Sequence, residues 1–319
     1  MLNACDKPAG PVHSLEVAVA GVHSGAISQN GDLALVGSIY HGGSLWRLTD
    51  DARVFNWNHN KTEPSTLIAS DFSHDGKWAL SATVNTLVLW NIESGEGVRF
   101  WAAPGEILDA RLGPEARTAL LGLADHTAVL FDIQKGGILQ TFSHQNRVRS
   151  VDLSADGELA LTGSEDYSAV LWDVRSGTEL RRITHNDDVQ LVRLSRDGAL
   201  ALSMSKYDKA LVWETQTGNT VGEVPLKAEH LKRGLRFTAA RFSEDNQFLL
   251  TGRPDQWVEL WSIKPPLTRV DGWELPRRNA WKPTGASVID VAFAGDDSIR
   301  AIASNGFIHT LTRNKKPGQ

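Results

Sequence analysis

At 319 residues, with 41% hydrophobic and 22% charged side chains, the chain is long and apolar enough to bury a large core, which excludes disorder as its ordinary state. A formal net charge of −5 argues against a general nucleic-acid or anionic-membrane binder, since both need an excess of Lys and Arg. The single cysteine excludes an intrachain disulfide and a cysteine zinc site, leaves the redox compartment open, and no apolar run reaches the roughly 18 residues of a transmembrane helix.

In chain order, the first feature is Leu2-Asn3-Ala4-Cys5 followed by Asp6-Lys7-Pro8. It resembles the lipobox of bacterial lipoproteins, where a small residue precedes the cysteine that is lipidated after cleavage, although the charged and apolar regions of a signal peptide are missing upstream. Two readings stand. Lipidation at Cys5 implies a bacterial membrane-anchored, periplasm-facing protein, with Asp6 resembling an inner-membrane retention signal; an ordinary N-terminal tail over residues 1–11 leaves the chain cytoplasmic and touching no membrane. A strand over Leu15-Glu-Val-Ala-Val19 follows, with no blade-like partners of its own.

From residue 28 onward a turn recurs seven times: Ser28-Gln-Asn-Gly31, Ser73-His-Asp-Gly76, Gly113-Pro-Glu-Ala116, Ser154-Ala-Asp-Gly157, Ser195-Arg-Asp-Gly198, Ser243-Glu-Asp-Asn246 and Ala294-Gly-Asp-Asp297. An aromatic follows 17 or 18 residues later as Trp46, Trp90, Phe131, Trp172, Trp213 and Trp261, with Leu311 in the seventh copy, and the central period is 41 residues. A fixed period of this size signals a repeat architecture. In the best-preserved copy, short runs at Val148 to Leu153, Leu159 to Gly163, Ala169 to Trp172 and Glu179 to Thr184 are separated by turn residues, which predicts a four-stranded antiparallel meander.

These residues, and phrases such as LTGSEDYSAVLWD, LSMSKYDKALVWE and LTGRPDQWVELWS, resemble the WD-repeat β-propeller family over about 300 of the 319 positions. The resemblance implies an all-β fold of seven four-stranded antiparallel blades over residues 12–313, with a basic tail at 314–319. The last copy lacks an outer strand and the N-terminal strand lacks a blade, so the N-terminal strand is expected to complete the seventh blade and close the ring.

The resemblance also implies that His144, Thr162, Asp166 and Trp172 form a hydrogen-bonded structural tetrad. A catalytic Ser/Thr-His-Asp relay is the competing reading, but the set recurs in part in other copies and ends on a tryptophan that no relay needs. Other copies are degenerate: Asp125 and Asp255 hold the aspartate position, Thr251 the hydroxyl, and the fifth copy keeps His185, Ser203 and Trp213 with Tyr207 where aspartate is expected. The first, second and seventh copies lack most of the set. His59, His144, His185 and His230 fall in successive blade connections, too far apart around a ring to share a metal ion, so neither metal nor cofactor is expected. Gly76-Lys77-Trp78, Gly95-Glu-Gly97 and Gly21-Val-His-Ser-Gly25 each fail the spacing of the phosphate-binding, dinucleotide or nucleophile-elbow motif they approach, and the chain is read as non-enzymatic.

Two long connections carry the sharper functional expectation. Lys227, Lys232, Arg233 and Arg236 lead into the sixth blade, and Arg277, Arg278, Trp281 and Lys282 into the seventh, with Trp273 nearby. Side by side on one face they would receive a protein partner, an acidic or aromatic peptide, because interfaces favour Trp and Arg anchors. Tyr40, His126, Tyr167, Tyr207 and Trp257 form a second tier on the same face. The expected function is therefore a monomeric protein-interaction scaffold. The alternative is a ligand-binding or enzymatic propeller using Asp71, Asp109, Arg111, Asp152, Arg193, Arg241 and Asp290 on the innermost strands, where alternating ion pairs would favour the scaffold.

Overall fold

The computed structural model describes residues 9–60, 63–224, 237–278, 285–295 and 297–313. They form seven four-stranded antiparallel sheets, so the fold is an all-β seven-bladed propeller. In chain order the innermost strands are Val22–Ile27, Ala69–Phe72, Ile107–Leu112, Val148–Leu153, Val189–Leu194, Ala239–Phe242 and Val288–Ala294. Each packs against the innermost strands of the blades on both sides.

The fourth blade shows why the sequence adopts this form. Its second and third strands, Leu159–Ser164 and Ser168–Asp173, are almost wholly buried because neighbouring blades cover both faces, so they read as continuous apolar runs. The innermost strand Val148–Leu153 is less uniformly buried, with Arg149, at a break in the pairing register, and Asp152 less buried than the residues between them. Its outermost strand Glu179–Thr184 is charged and exposed, which discourages pairing with another chain's strand.

The recurring turn closes by the same atoms in several blades. Ser154 Oγ donates to Asp156 Oδ1 at 2.5 Å, the Leu159 amide donates to Ser154 Oγ at 2.9 Å, and the Glu158 amide donates to Asp156 Oδ1 at 2.9 Å. Ser195 with Asp197 and Ser243 with Asp245 repeat this at 2.6 and 2.5 Å. The fourth turn residue has a positive φ, 74° at Gly157 and 56° at Asn246, which is why glycine or asparagine stands there.

Ring closure uses the N-terminal strand, as expected, but over His13–Glu16 rather than residues 15–19. It pairs antiparallel with Phe307–Thr312, His13 opposite Thr310 and Glu16 opposite Phe307. The strand ends early because the amides of Val17 and Ala18 both donate to the Gly306 carbonyl, at 2.9 and 3.1 Å, and the chain turns away. Gly306 has φ 98°, and a Cβ there would stand 1.8 Å from the Ala18 oxygen, so no other residue fits without moving the closure.

Candidate functional site

Within the fourth blade, Trp172 Nε1 donates to Thr162 Oγ1 at 2.8 Å, Thr162 Oγ1 lies 2.7 Å from His144 Nε2, and His144 Nδ1 lies 2.9 Å from Asp166 Oδ2. With the proton on Nδ1, every polar atom of this chain has a partner. Burial pushes the Asp166 carboxyl up, but hydrogen bonds from His144, Ser168 and the Gln145 amide reverse this and hold it well below the usual carboxylate range. The chain of bonds ends on a buried tryptophan between blades, and the Thr162 hydroxyl is fully buried, so it presents no nucleophile to a substrate.

The second blade contains a related chain that its sequence conceals. Trp90 Nε1 donates to Ser81 Oγ at 2.8 Å, Ser81 Oγ lies 2.8 Å from His59 Nε2, and His59 Nδ1 lies 2.6 Å from Thr86 Oγ1. Ser81 thus stands where the fourth blade has Thr162, and Thr86, at the position of Ser168, bonds the histidine in place of the aspartate, whose position is taken by Val84. The fifth blade keeps His185 2.9 Å from Ser203 and Trp213 donating to Ser203 at 3.2 Å, while Asp208 accepts from the Asn186 amide at 3.1 Å. In the sixth, Trp261 donates to Thr251 at 3.0 Å. His59, His144 and His185 are each held within their own blade.

All seven predicted channel residues line one cavity of about 380 Å³ along the ring axis. Four carboxylates stitch neighbouring blades. Asp290 accepts the Ile27 amide at 2.8 Å, Asp71 that of Leu112 at 2.8 Å, Asp109 that of Val151 at 3.1 Å, and Asp152 that of Leu194 at 2.7 Å. Three ion pairs join them: Arg111 with Asp109 at 4.0 Å and with Asp152 at 3.7 Å, and Arg241 with Asp290 at 3.2 Å. Burial, opposed by Arg111 and the Leu112 amide, pushes the Asp71 carboxyl up. Most of the lining is therefore structural.

The blade connections and the turns between second and third strands meet on one face, where the His144 amide donates to the His126 carbonyl at 2.9 Å and that of His185 to Tyr167 at 2.8 Å. All three tyrosines of the chain project there and are exposed: Tyr40 at 70%, Tyr167 at 47% and Tyr207 at 57%. Ile39, Val84 and Val19 are exposed on the same face. His126 is exposed, whereas Trp257 is partly covered by Arg269, 5.9 Å from its ring.

The predicted basic connections divide. Lys227, Lys232, Arg233, Arg236, Trp281 and Lys282, like Cys5, lie outside the described residues. Arg277 is exposed. Arg278 instead donates to the Ala18 and Asn305 carbonyls at 3.1 and 2.9 Å, pairs with Glu16 and stands over the Phe307 ring at 5.4 Å. Trp273 is buried between blades with its Nε1 donating to the Thr312 carbonyl at 3.1 Å, so it is core and not a surface anchor.

Residues 136–173 match the family model described as WD domain, G-beta repeat. That segment holds the best-preserved blade, with three of its four strands and the whole hydrogen-bonded chain of His144, Thr162, Asp166 and Trp172. No curated protein matches the chain.

Proposed function

We propose that this chain, a seven-bladed WD-repeat propeller, is a non-catalytic scaffold that docks a protein partner on the face carrying its turns and blade connections. The family fold is consistent with a protein-interaction role. The observation that carries the reading is the placement of every tyrosine on that face, exposed, while the large aromatic side chains Trp57, Trp213, Trp273 and Phe142 are fully buried. Tyrosine offers a rigid apolar body with a polar tip at small entropic cost, the chemistry of interface anchors. Tyr167 and Tyr207 stand on adjacent blades, and Arg277 adds an exposed cation on the same face, suited to an acidic or aromatic peptide.

Replacing Tyr167 and Tyr207 together by alanine tests this directly, since exposed turn residues contribute little to stability and loss of partner binding would be a surface effect. The membrane-anchored version of the scaffold rests on residues 2–5 alone. Mass spectrometry of the mature N-terminus in the native host supports it if Cys5 carries a diacylglycerol and rejects it if Met1 is unmodified.

A further inference from the structure

Five channel positions share one register, two residues before the recurring turn: Asp71 opposite Leu80, Arg111 opposite Leu120, Asp152 opposite Leu161, Arg193 opposite Leu202 and Arg241 opposite Leu250. They form one tier of mixed charge around the axis, two aspartates and three arginines, with Arg193 and Arg241 on adjacent blades. Arg111, Asp152 and Arg241 are in ion pairs, but among the described residues Asp71 and Arg193 are in none. Arg193 donates only through Nη1, to the Val192 carbonyl at 2.7 Å and to Ser150 Oγ at 3.4 Å, and Asp71 accepts only the Leu112 amide. Asp71 belongs to the second blade and Arg193 to the fifth, as nearly opposite as a ring of seven permits.

We propose that the channel binds a small zwitterion, an aliphatic molecule bearing an ammonium and a carboxylate, with the ammonium on Asp71 and the carboxylate on Arg193. An anion and a cation that face each other across the channel without a direct ion pair each keep part of their desolvation cost, and a ligand of matched charges relieves both with charge-assisted hydrogen bonds. The 380 Å³ cavity is within the range of small-molecule sites. Asp109, Asp152 and Asp290 attract Arg193 without forming a direct ion pair with it, and each is held to the wall by an amide of the neighbouring blade. Burial and the nearby Arg111 guanidinium push Arg193 down from its usual range, outweighing the opposing pull of Asp152, Asp109 and Asp290. This role is separate from docking on the tyrosine face.

Titration calorimetry of the whole chain with β-alanine, γ-aminobutyrate and 5-aminopentanoate, against butyrate and butylammonium, tests the proposal. At least one amino acid is expected to bind saturably, one per chain, at least tenfold more tightly than both singly charged compounds. Asp71→Asn, which keeps an acceptor for the Leu112 amide, and Arg193→Gln are each expected to weaken that ligand at least tenfold, while the Tyr167→Ala, Tyr207→Ala variant binds it normally. Equal affinity for a singly charged compound, or no saturation by any probe at about 10 mM, overturns it. So does loss on Arg193→Gln with no change on Asp71→Asn, which would indicate an anion site only. If a variant fails to fold, the comparison of the five compounds on the unaltered chain decides alone.

Discussion

Arg278 is ion-paired with Glu16, so the connection into the seventh blade grips the strand that closes the ring. The same guanidinium reaches the carbonyls on either side of the closure turn, at Ala18 and Asn305. A side chain that reads as part of a basic docking loop is therefore part of the ring's fastening. Arg278→Ala is expected to cost about 1–3 kcal/mol, because two buried carbonyls lose a charged donor. A drop in melting temperature relative to Arg277→Ala, whose side chain is exposed, is the measurement; equal melting of both variants would place Arg278 outside the closure.

Deleting residues 12–20 removes the strand that, among the described residues, pairs with the outer edge of Phe307–Thr312, and exposes that edge. The truncated ring is expected to melt well below the intact chain and to self-associate. Cooperative melting at the intact temperature would refute closure by this strand.

In the fourth blade, Thr162→Val leaves the buried Trp172 Nε1 without an acceptor and His144 Nε2 without a donor. The expected cost is about 2–4 kcal/mol, with Thr162→Ser nearly neutral. Ser81→Ala should behave likewise in the second blade, because the same hydroxyl position links Trp90 to His59. Denaturant midpoints for the four proteins check this.

Burial lowers His59, His185 and His309 from 6.5 to about 4. Each stays neutral in the fold at a pH where the unfolded chain protonates it. Their stabilising contribution is whole above pH 6.5 and is lost as pH falls from 6.5 towards 4, by up to about 1.4 kcal/mol per pH unit for each histidine. Stability measured across that window should fall with acidification, and His59→Gln should make the slope shallower. A flat profile between pH 7 and 4 would contradict the burial of these rings.

What was legible in the sequence is what local chemistry enforces. In four of the turns a serine and an aspartate close the chain through their own side chains, and the fourth residue must accept positive φ, so spacing and residue type repeat together there. The apolar runs that mark each innermost strand carry Asp71, Arg111 and their sisters, which placed them as channel residues. What the sequence concealed depends on contacts between distant segments. Arg278 and Glu16 are 262 positions apart, and nothing near either marks the pairing. Trp273 looked like a surface anchor because its local run is polar, yet the adjacent blade buries it. The His59 chain was missed because Val84 stands at the aspartate position of that copy, and the partner of His59 Nδ1 is Thr86, two residues later. That Asp71 and Arg193 are the two charges left over follows only once the pairing of the rest of the tier is known.

The most direct test of the scaffold reading is crosslinking and affinity capture from the native host with the unaltered chain and with the Tyr167→Ala, Tyr207→Ala variant, after confirming that both melt alike. Docking on the tyrosine face predicts at least one specifically captured protein whose recovery falls tenfold or more with the variant. Equal recovery of every captured protein would place the docking surface elsewhere and contradict the proposal.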